Sequence, residues 1–137
     1  LRPYLPETSN EEKVTGVIGV VEGDTHDIGK NLVKIMLETA GFRMIDLGRD
    51  VPLDKFVETV QQENADFICL STLMTTTMGG METVIKLLDE AGLRKKVKVM
   101  IGGGPISQKY ADRIGADGYS QNAVEAVKLA KRLLNIA

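Results

Sequence analysis

Apolar and polar positions follow two periods along this chain. Short, nearly continuous apolar runs suit strands covered on both faces. They fall at Val14–Val21, Phe42–Leu47, Asp66–Leu70, Val97–Ile101 and, more briefly, Gly115–Tyr119. Between them, apolar residues recur at three- and four-residue spacing, the mark of one helical face. Ile28, Leu32, Ile35 and Met36 make the first such stripe, with Lys30 and Lys34 off it and Gly41 at its C-terminal end. Gly48-Arg49-Asp50 reads as a turn, and Pro52 as the first turn of a helix whose face is Leu53, Phe56, Val57 and Val60. Met81, Val84, Ile85 and Leu88 form a third stripe, closed near Gly92. Ser107 is placed to cap a short helix through Ile114, and Asn122 a last helix to about Leu134. All the stripes are expected to pack as core.

Five strand–helix units with short connections predict an α/β fold with a parallel sheet and helices on both faces. The expected architecture is Rossmann-like: a flavodoxin-type, doubly wound, five-stranded sheet of order 2-1-3-4-5. In that order the connections leave strands 1 and 3 in opposite directions, and a crevice opens between their C-terminal ends. The polar and glycine-rich loops all fall on that edge. They are Gly23–Lys30, Ser71–Met78 and Gly102-Gly103-Gly104-Pro105.

Composition narrows the picture. The 137 residues suit one domain, with 43% apolar residues but only 4% aromatics and no Trp, so the core must be aliphatic. A net charge of -2 leaves no electrostatic footprint for nucleic acid. No apolar run approaches a membrane span and no signal segment opens the chain, which reads as cytoplasmic. Residues 1–13 have linker composition and are expected to be a linker remnant, with 14–137 forming the domain. One Cys and one His exclude an internal disulfide and a structural zinc site. Cys69 is expected to be buried and inert.

The one histidine, His26, lies in the loop after the first strand, with Asp24 and Asp27 on either side. Gly16, Gly19, Gly23 and Gly29 do not make a dinucleotide fingerprint. Gly23 and Gly29 stand one residue too far apart for a phosphate loop, and Asn31 stands where the magnesium-binding hydroxyl belongs. A phospho-acceptor domain needs an aspartate at the end of strand 3, where this chain has Leu70-Ser71-Thr72. Flavin binding is disfavoured by the acidic first loop and scarce aromatics. A lone loop histidine is most often an ordinary surface residue. Here Asp24 can fix its tautomer and free the other nitrogen for a metal. One protein ligand suffices only for a metal already held by a macrocycle. The residues do not choose the macrocycle.

Asp24-x-His26-x-x-Gly29, Ser71-x-Leu73 and Gly102-Gly103 together resemble the signature of the cobalamin-binding domains of methionine synthases, corrinoid methyltransferase proteins and carbon-skeleton mutases. The resemblance covers about residues 14–135. G-D-T-H-D-I-G-K-N-L-V, D-L-G-R-D-V-P and L-M-T-T-T-M are most similar to the small corrinoid proteins of methanol, methylamine and methoxyl-compound methyltransferase systems. Tyr119-Ser120-Gln121-Asn122-Ala123 is more similar to methionine synthase.

The resemblance implies cobalamin, or a related corrinoid, bound with its own base displaced and His26 as the lower axial ligand of cobalt. Asp24, His26 and Thr77 would form the working relay. Gly29 would leave room for the nucleotide tail, Ser71 and Leu73 would line it, and Gly102 and Gly103 would admit it to the backbone. Thr25, Asp27, Ile28, Met74, Thr75, Gly104, Tyr119, Gln121, Asn122 and Ala123 complete the expected cofactor site. Thr75 could instead cap the third helix, Met74 could be a core plug, and Asp27 reads as a helix N-terminal charge.

The implied role is methyl carriage. The cofactor would alternate between cob(I)alamin and methylcobalamin, serving a donor-specific methyltransferase and an acceptor methyltransferase that uses tetrahydrofolate or a thiol. A reductive activase would restore it. The chain would be a component of such a system rather than a complete enzyme, and would lack the upstream helical cap domain of full-length carriers. Two other readings of the same signature are an adenosylcobalamin-dependent mutase subunit and a cobalamin-sensing module.

Overall fold

The strand Thr15–Val21 (β1) is buried along its whole length and forms the middle of the molecule. The structure, a computed structural model, describes residues 14–135; the expected linker 1–13 lies outside the described residues. After β1 come helix Ile28–Thr39 (α1), strand Arg43–Val51 (β2), helix Leu53–Glu63 (α2) and strand Phe67–Ser71 (β3). Helix Gly79–Glu90 (α3), strand Lys98–Gly102 (β4), helix Gln108–Ile114 (α4), strand Gly118–Tyr119 (β5) and helix Ala123–Leu133 (α5) complete the chain. The sheet order is β2-β1-β3-β4-β5, with every pairing parallel. This is the doubly wound order expected from the alternating pattern.

The period of two along the strands feeds two cores. Val17 and Val21, Ile68 and Leu70, and Val99 and Ile101 face α2, α3 and α4. Ile18, Phe67, Cys69 and Met100 face α1 and α5. Burial pushes the Cys69 thiol up to about 12, so it stays protonated within the sheet. Phe67 and Phe42 meet edge to face, with centroids 5.3 Å apart. The Phe67 ring lies over Gly16, where a Cβ would overlap it. Both predicted serine-type caps form: Ser107 accepts from the Tyr110 N–H and Asn122 from the Glu125 N–H.

Two expectations are corrected. The Ile28, Leu32, Ile35 stripe of α1 does not face the core; these residues are 85%, 54% and 57% exposed. The inner face is Lys30, Val33 and Leu37, which has the same helical spacing. A lysine on that face hid it. Lys30 buries its stem, and its ammonium reaches Asp46 on β2 at 2.8 and 2.9 Å. Asp46 also accepts the Gly48 N–H at 2.8 Å. Burial raises the Asp46 carboxyl, but the Lys30 and Gly48 hydrogen bonds and the Lys30 and Lys34 charges outweigh it and hold the group below its ordinary range.

The second correction concerns Gly48-Arg49-Asp50, which is not a turn. β2 runs on to Val51 through a register shift against β1, with Gly48 at φ 93° and Asp50 at φ 51°. Among the described residues, no helix is long and apolar enough to cross a membrane.

The exposed stripe has a simple test. Ile35→Gln is expected to change unfolding stability by no more than about 0.5 kcal/mol, as for an ordinary surface position. Leu37→Ala, at a position with no exposure, should cost about 2–4 kcal/mol. Urea denaturation of the two variants measures the difference.

Candidate functional site

The strand order sends β1 and β3 into crossovers of opposite direction, and the crevice between their C-terminal ends is where the polar loops meet. The opening has a volume of about 480 Å³. His26 and Gly29 line it from the β1 loop and the start of α1, and Ser71 and Leu73 from the end of β3. Gly102, Gly103 and Gly104 line it from the end of β4, and Tyr119, Gln121, Asn122 and Ala123 from the β5–α5 corner. Thr25, Asp27, Ile28, Met74, Thr75 and Thr77 are not on its wall. Sequence reasoning missed Leu32, Val33 and Ser120, which do line it. For Ser120 the signal was present, because it sits inside the Tyr119–Ala123 motif. Leu32 was assigned to the core.

Asp24 lies beneath the loop with no exposure at all. One carboxylate oxygen, Oδ1, accepts the His26 backbone N–H at 2.9 Å and faces His26 Nδ1 at 2.7 Å. The other, Oδ2, accepts the Thr72 hydroxyl at 2.6 Å and the Leu73 N–H at 2.7 Å. Burial pushes this carboxyl up, and the bonds from Thr72, His26 and Leu73 more than offset it, holding the group well below the usual carboxylate range. An ionised Asp24 demands a proton on Nδ1. The other ring nitrogen, Nε2, is then the one not engaged by Asp24, on a half-exposed side chain that lines the crevice.

The hydroxyl chain is longer than Asp24 and Thr77 alone. Thr72, fully buried, stands between them and hydrogen-bonds to the Thr77 hydroxyl, which also donates to the Met74 carbonyl at 3.1 Å. Thr72 gave no sequence signal of its own, since a strand-end threonine points inward or outward according to its neighbours. Its neighbour here is Gly103, at φ 131°, where a Cβ would overlap the Thr72 carbonyl. Only a glycine lets the β4 loop lie against the β3 loop and press Thr72 inward. Gly29 is different: a Cβ there would meet nothing within 4 Å, so its bareness serves open space in the crevice.

The donor set fits a metal held by a macrocycle. Among the described residues there is no cluster of three or more His, Cys, Asp or Glu that could hold a free ion. There is one imidazole, backed by one buried carboxylate, facing a long groove with small residues on its floor.

Asp24 also ties stability to pH. Its folded pKa lies below its unfolded value near 4, so the unfolded chain takes up the proton first. The stability it contributes is present above about pH 5 and is lost as pH falls through the acid range. Between about pH 7 and about pH 3, the wild-type chain is expected to lose more stability than Asp24→Asn, read from urea midpoints. Thr72→Val should cost about 1–3 kcal/mol at neutral pH, because it strands Asp24 Oδ2 without its hydroxyl donor.

Comparison with known proteins agrees with this geometry. The B12 binding domain profile matches residues 14–128. The chain is 56% identical to dimethylamine corrinoid protein 3 of Methanosarcina mazei over 135 residues, 98% of this chain and 81% of that protein. It is 56% identical to dimethylamine corrinoid protein 1 of Methanosarcina acetivorans over 98% of this chain, but only 63% of that protein. Among solved structures, the Methanosarcina barkeri monomethylamine corrinoid protein superposes with a TM-score of 0.83 at 41% identity, covering 90% of this chain and 60% of that one. The methanol:cobalamin methyltransferase complex MtaBC from Methanosarcina barkeri superposes with a TM-score of 0.82 at 38% identity, covering 88% of this chain and 46% of that one. The chain thus spans less than two thirds of the length of several of these proteins. With its one histidine, buried carboxylate and glycine-floored crevice inside the matched span, the chain belongs to the B12 binding domain family, and its cofactor is cobalamin or a related corrinoid.

Proposed function

We propose that this domain is the carrier part of a methyl-transfer system, holding its corrinoid base-off and His-on. When bound, the corrinoid supplies a cobalt that takes a methyl group from one partner and yields it to another. The observation that carries the reading is the His26 ring, which lines the crevice and is tied at Nδ1 to a fully buried Asp24. His26 would take the lower axial position. Asp24 would hold the ring's tautomer and angle and strengthen it as a ligand. His26 and Asp24 would hold a proton between them, and the Thr72 and Thr77 hydroxyls continue the hydrogen-bonded chain from Asp24. Gly29, Ser71 and Leu73, with Gly102 and Gly103, would receive the displaced nucleotide tail. Thr25, Asp27, Ile28, Met74 and Thr75, next in sequence to lining residues but not on the wall, would meet the cofactor only where it extends beyond the crevice.

The partners proposed are a donor-specific methyltransferase, an acceptor methyltransferase for tetrahydrofolate or a thiol, and a reductive activase. Two dimethylamine corrinoid proteins among the relatives make a methylamine the first donor to try. The methanol:cobalamin methyltransferase complex shows a related chain assembled with such a partner.

Loading the chain with hydroxocobalamin and reducing it to Co(II) tests the ligand directly. Electron paramagnetic resonance should show cobalt split by one nitrogen. Labelling the protein with nitrogen-15 should turn each triplet into a doublet, and His26→Ala should abolish the doublet. A triplet that survives labelling would mean that the cofactor keeps its own base. Carriage is tested by affinity: methylcobalamin is expected to bind at least as tightly as adenosylcobalamin, measured by titration. A strong preference for the adenosyl form would instead favour the mutase reading.

A further inference from the structure

The Asp24 carboxylate is held by the β3 loop, yet the main chain of Asp24 is held from the opposite side of β1. Asp50, near the end of β2, donates its backbone N–H to the Asp24 carbonyl at 2.8 Å. Its carboxylate accepts the Gly23 N–H, also at 2.8 Å. Both bonds cross 26 or 27 positions of sequence and close on two consecutive residues of the loop that carries His26. A third bond adds to them: the Leu53 N–H, at the start of α2, donates to the Glu22 carboxylate at 3.3 Å. The loop after β1 is therefore clasped to the end of β2 and the start of α2 by three hydrogen bonds.

The clasp needs an unusual backbone. Asp50 is one of three non-glycine residues at positive φ among the described residues. Aspartate and asparagine enter that region more readily than other side chains, but at a cost that a surrounding structure must over-determine. The register shift against β1 and the Gly48 bend bring Asp50 to the loop. The bend is itself held, because Gly48 donates to Asp46, and Asp46 is pinned by Lys30 from α1. The elements on both sides of the His26 loop, β1 and α1, thus engage one short stretch of β2.

We infer that Asp50 is a positioning residue for the cobalt ligand: by clasping Gly23 and the Asp24 main chain it sets the angle from which Asp24 directs the His26 ring. This rests on the reading of His26 as the axial ligand. The carboxylate network fixes the end of the Asp24 side chain, and apart from Asp50 the Asp24 main chain is tied only within its own turn, by its N–H to the Val21 carbonyl at 3.1 Å. The Asp50 clasp ties it to β2 as well, and a ligand that must leave and rebind returns to the same place.

Two variants separate the parts. Asp50→Gly accepts the positive φ without strain and keeps the N–H, but loses the carboxylate acceptor. Asp50→Asn keeps an acceptor oxygen and tolerates the same φ. In the full chain loaded with hydroxocobalamin and reduced to Co(II), Asp50→Gly is expected to lower the ratio of nitrogen-15 doublet to signal lacking it by ~5-fold, as loss of one such hydrogen bond implies. Asp50→Asn should retain the wild-type ratio. A role confined to folding would lower the melting temperature of Asp50→Gly and leave the ratio unchanged, and that result would overturn the inference. If the wild-type chain itself shows no doublet, the ligand reading fails. The clasp is then judged on the cofactor-free chain by hydrogen exchange at the His26 amide, which donates to Asp24. Exchange ~5-fold faster in Asp50→Gly and unchanged in Asp50→Asn supports the positioning role, and equal rates in all three chains reject it.

Discussion

A carboxylate with no exposure to water is costly unless every lone pair is answered. Asp24 meets that condition with four donors from three residues in two loops: the His26 backbone and ring, the Thr72 hydroxyl and the Leu73 N–H. Satisfying the charge therefore brings the β1 and β3 loops to one point and orients the imidazole at the same time. Removing any one donor leaves part of a buried charge unanswered. This is why folding and site geometry are coupled so closely here.

The rest of the molecule supplies that point with rigid sides. β1 and β3 are neighbours at the place where the winding of the sheet reverses, so their loops diverge above a crevice and converge beneath it. The bare backbone at Gly103 lets the β4 loop press Thr72 inward. The Lys30–Asp46 pair seats the first turn of α1 against β2, directly after the loop that needs holding. Of the five buried polar or charged side chains among the described residues, Asp24, Lys30 and Thr72 belong to this arrangement. Apart from two threonines, the remainder of the buried interior is apolar, mostly aliphatic with Phe42, Phe56, Phe67 and Tyr110 among it, in two layers that the strand alternation separates. Polarity inside the protein is concentrated where the chemistry is.

Much of this was legible in the chain. Apolar runs of five to eight residues gave five strands, and Ser107, Asn122 and Gly41 marked helix ends, because these signals act within a few residues of their cause. The spacing of Asp24 and His26 was legible for the same reason: two residues in one loop can meet without help from distant chain. The α1 face was misread because a count of apolar positions treats lysine as polar. A buried lysine whose ammonium finds a carboxylate on another element behaves as part of the inner face. The Gly48–Asp50 segment looked like a turn because its residues favour turns, yet pairing with β1 carries the strand through to Val51.

The sequence by itself determined the alternation of strands and helices, the loops that meet at the crevice, and the single imidazole of the chain. Those follow from local spacing and from composition. Only the tertiary structure decided that Thr72 stands between Asp24 and Thr77, that α1 turns its isoleucines outward, and that Asp50 reaches across to the Asp24 main chain. Each of these depends on contacts between residues far apart in sequence. Their sign is set by sheet register, by one glycine's missing side chain and by one buried charge seeking its partners.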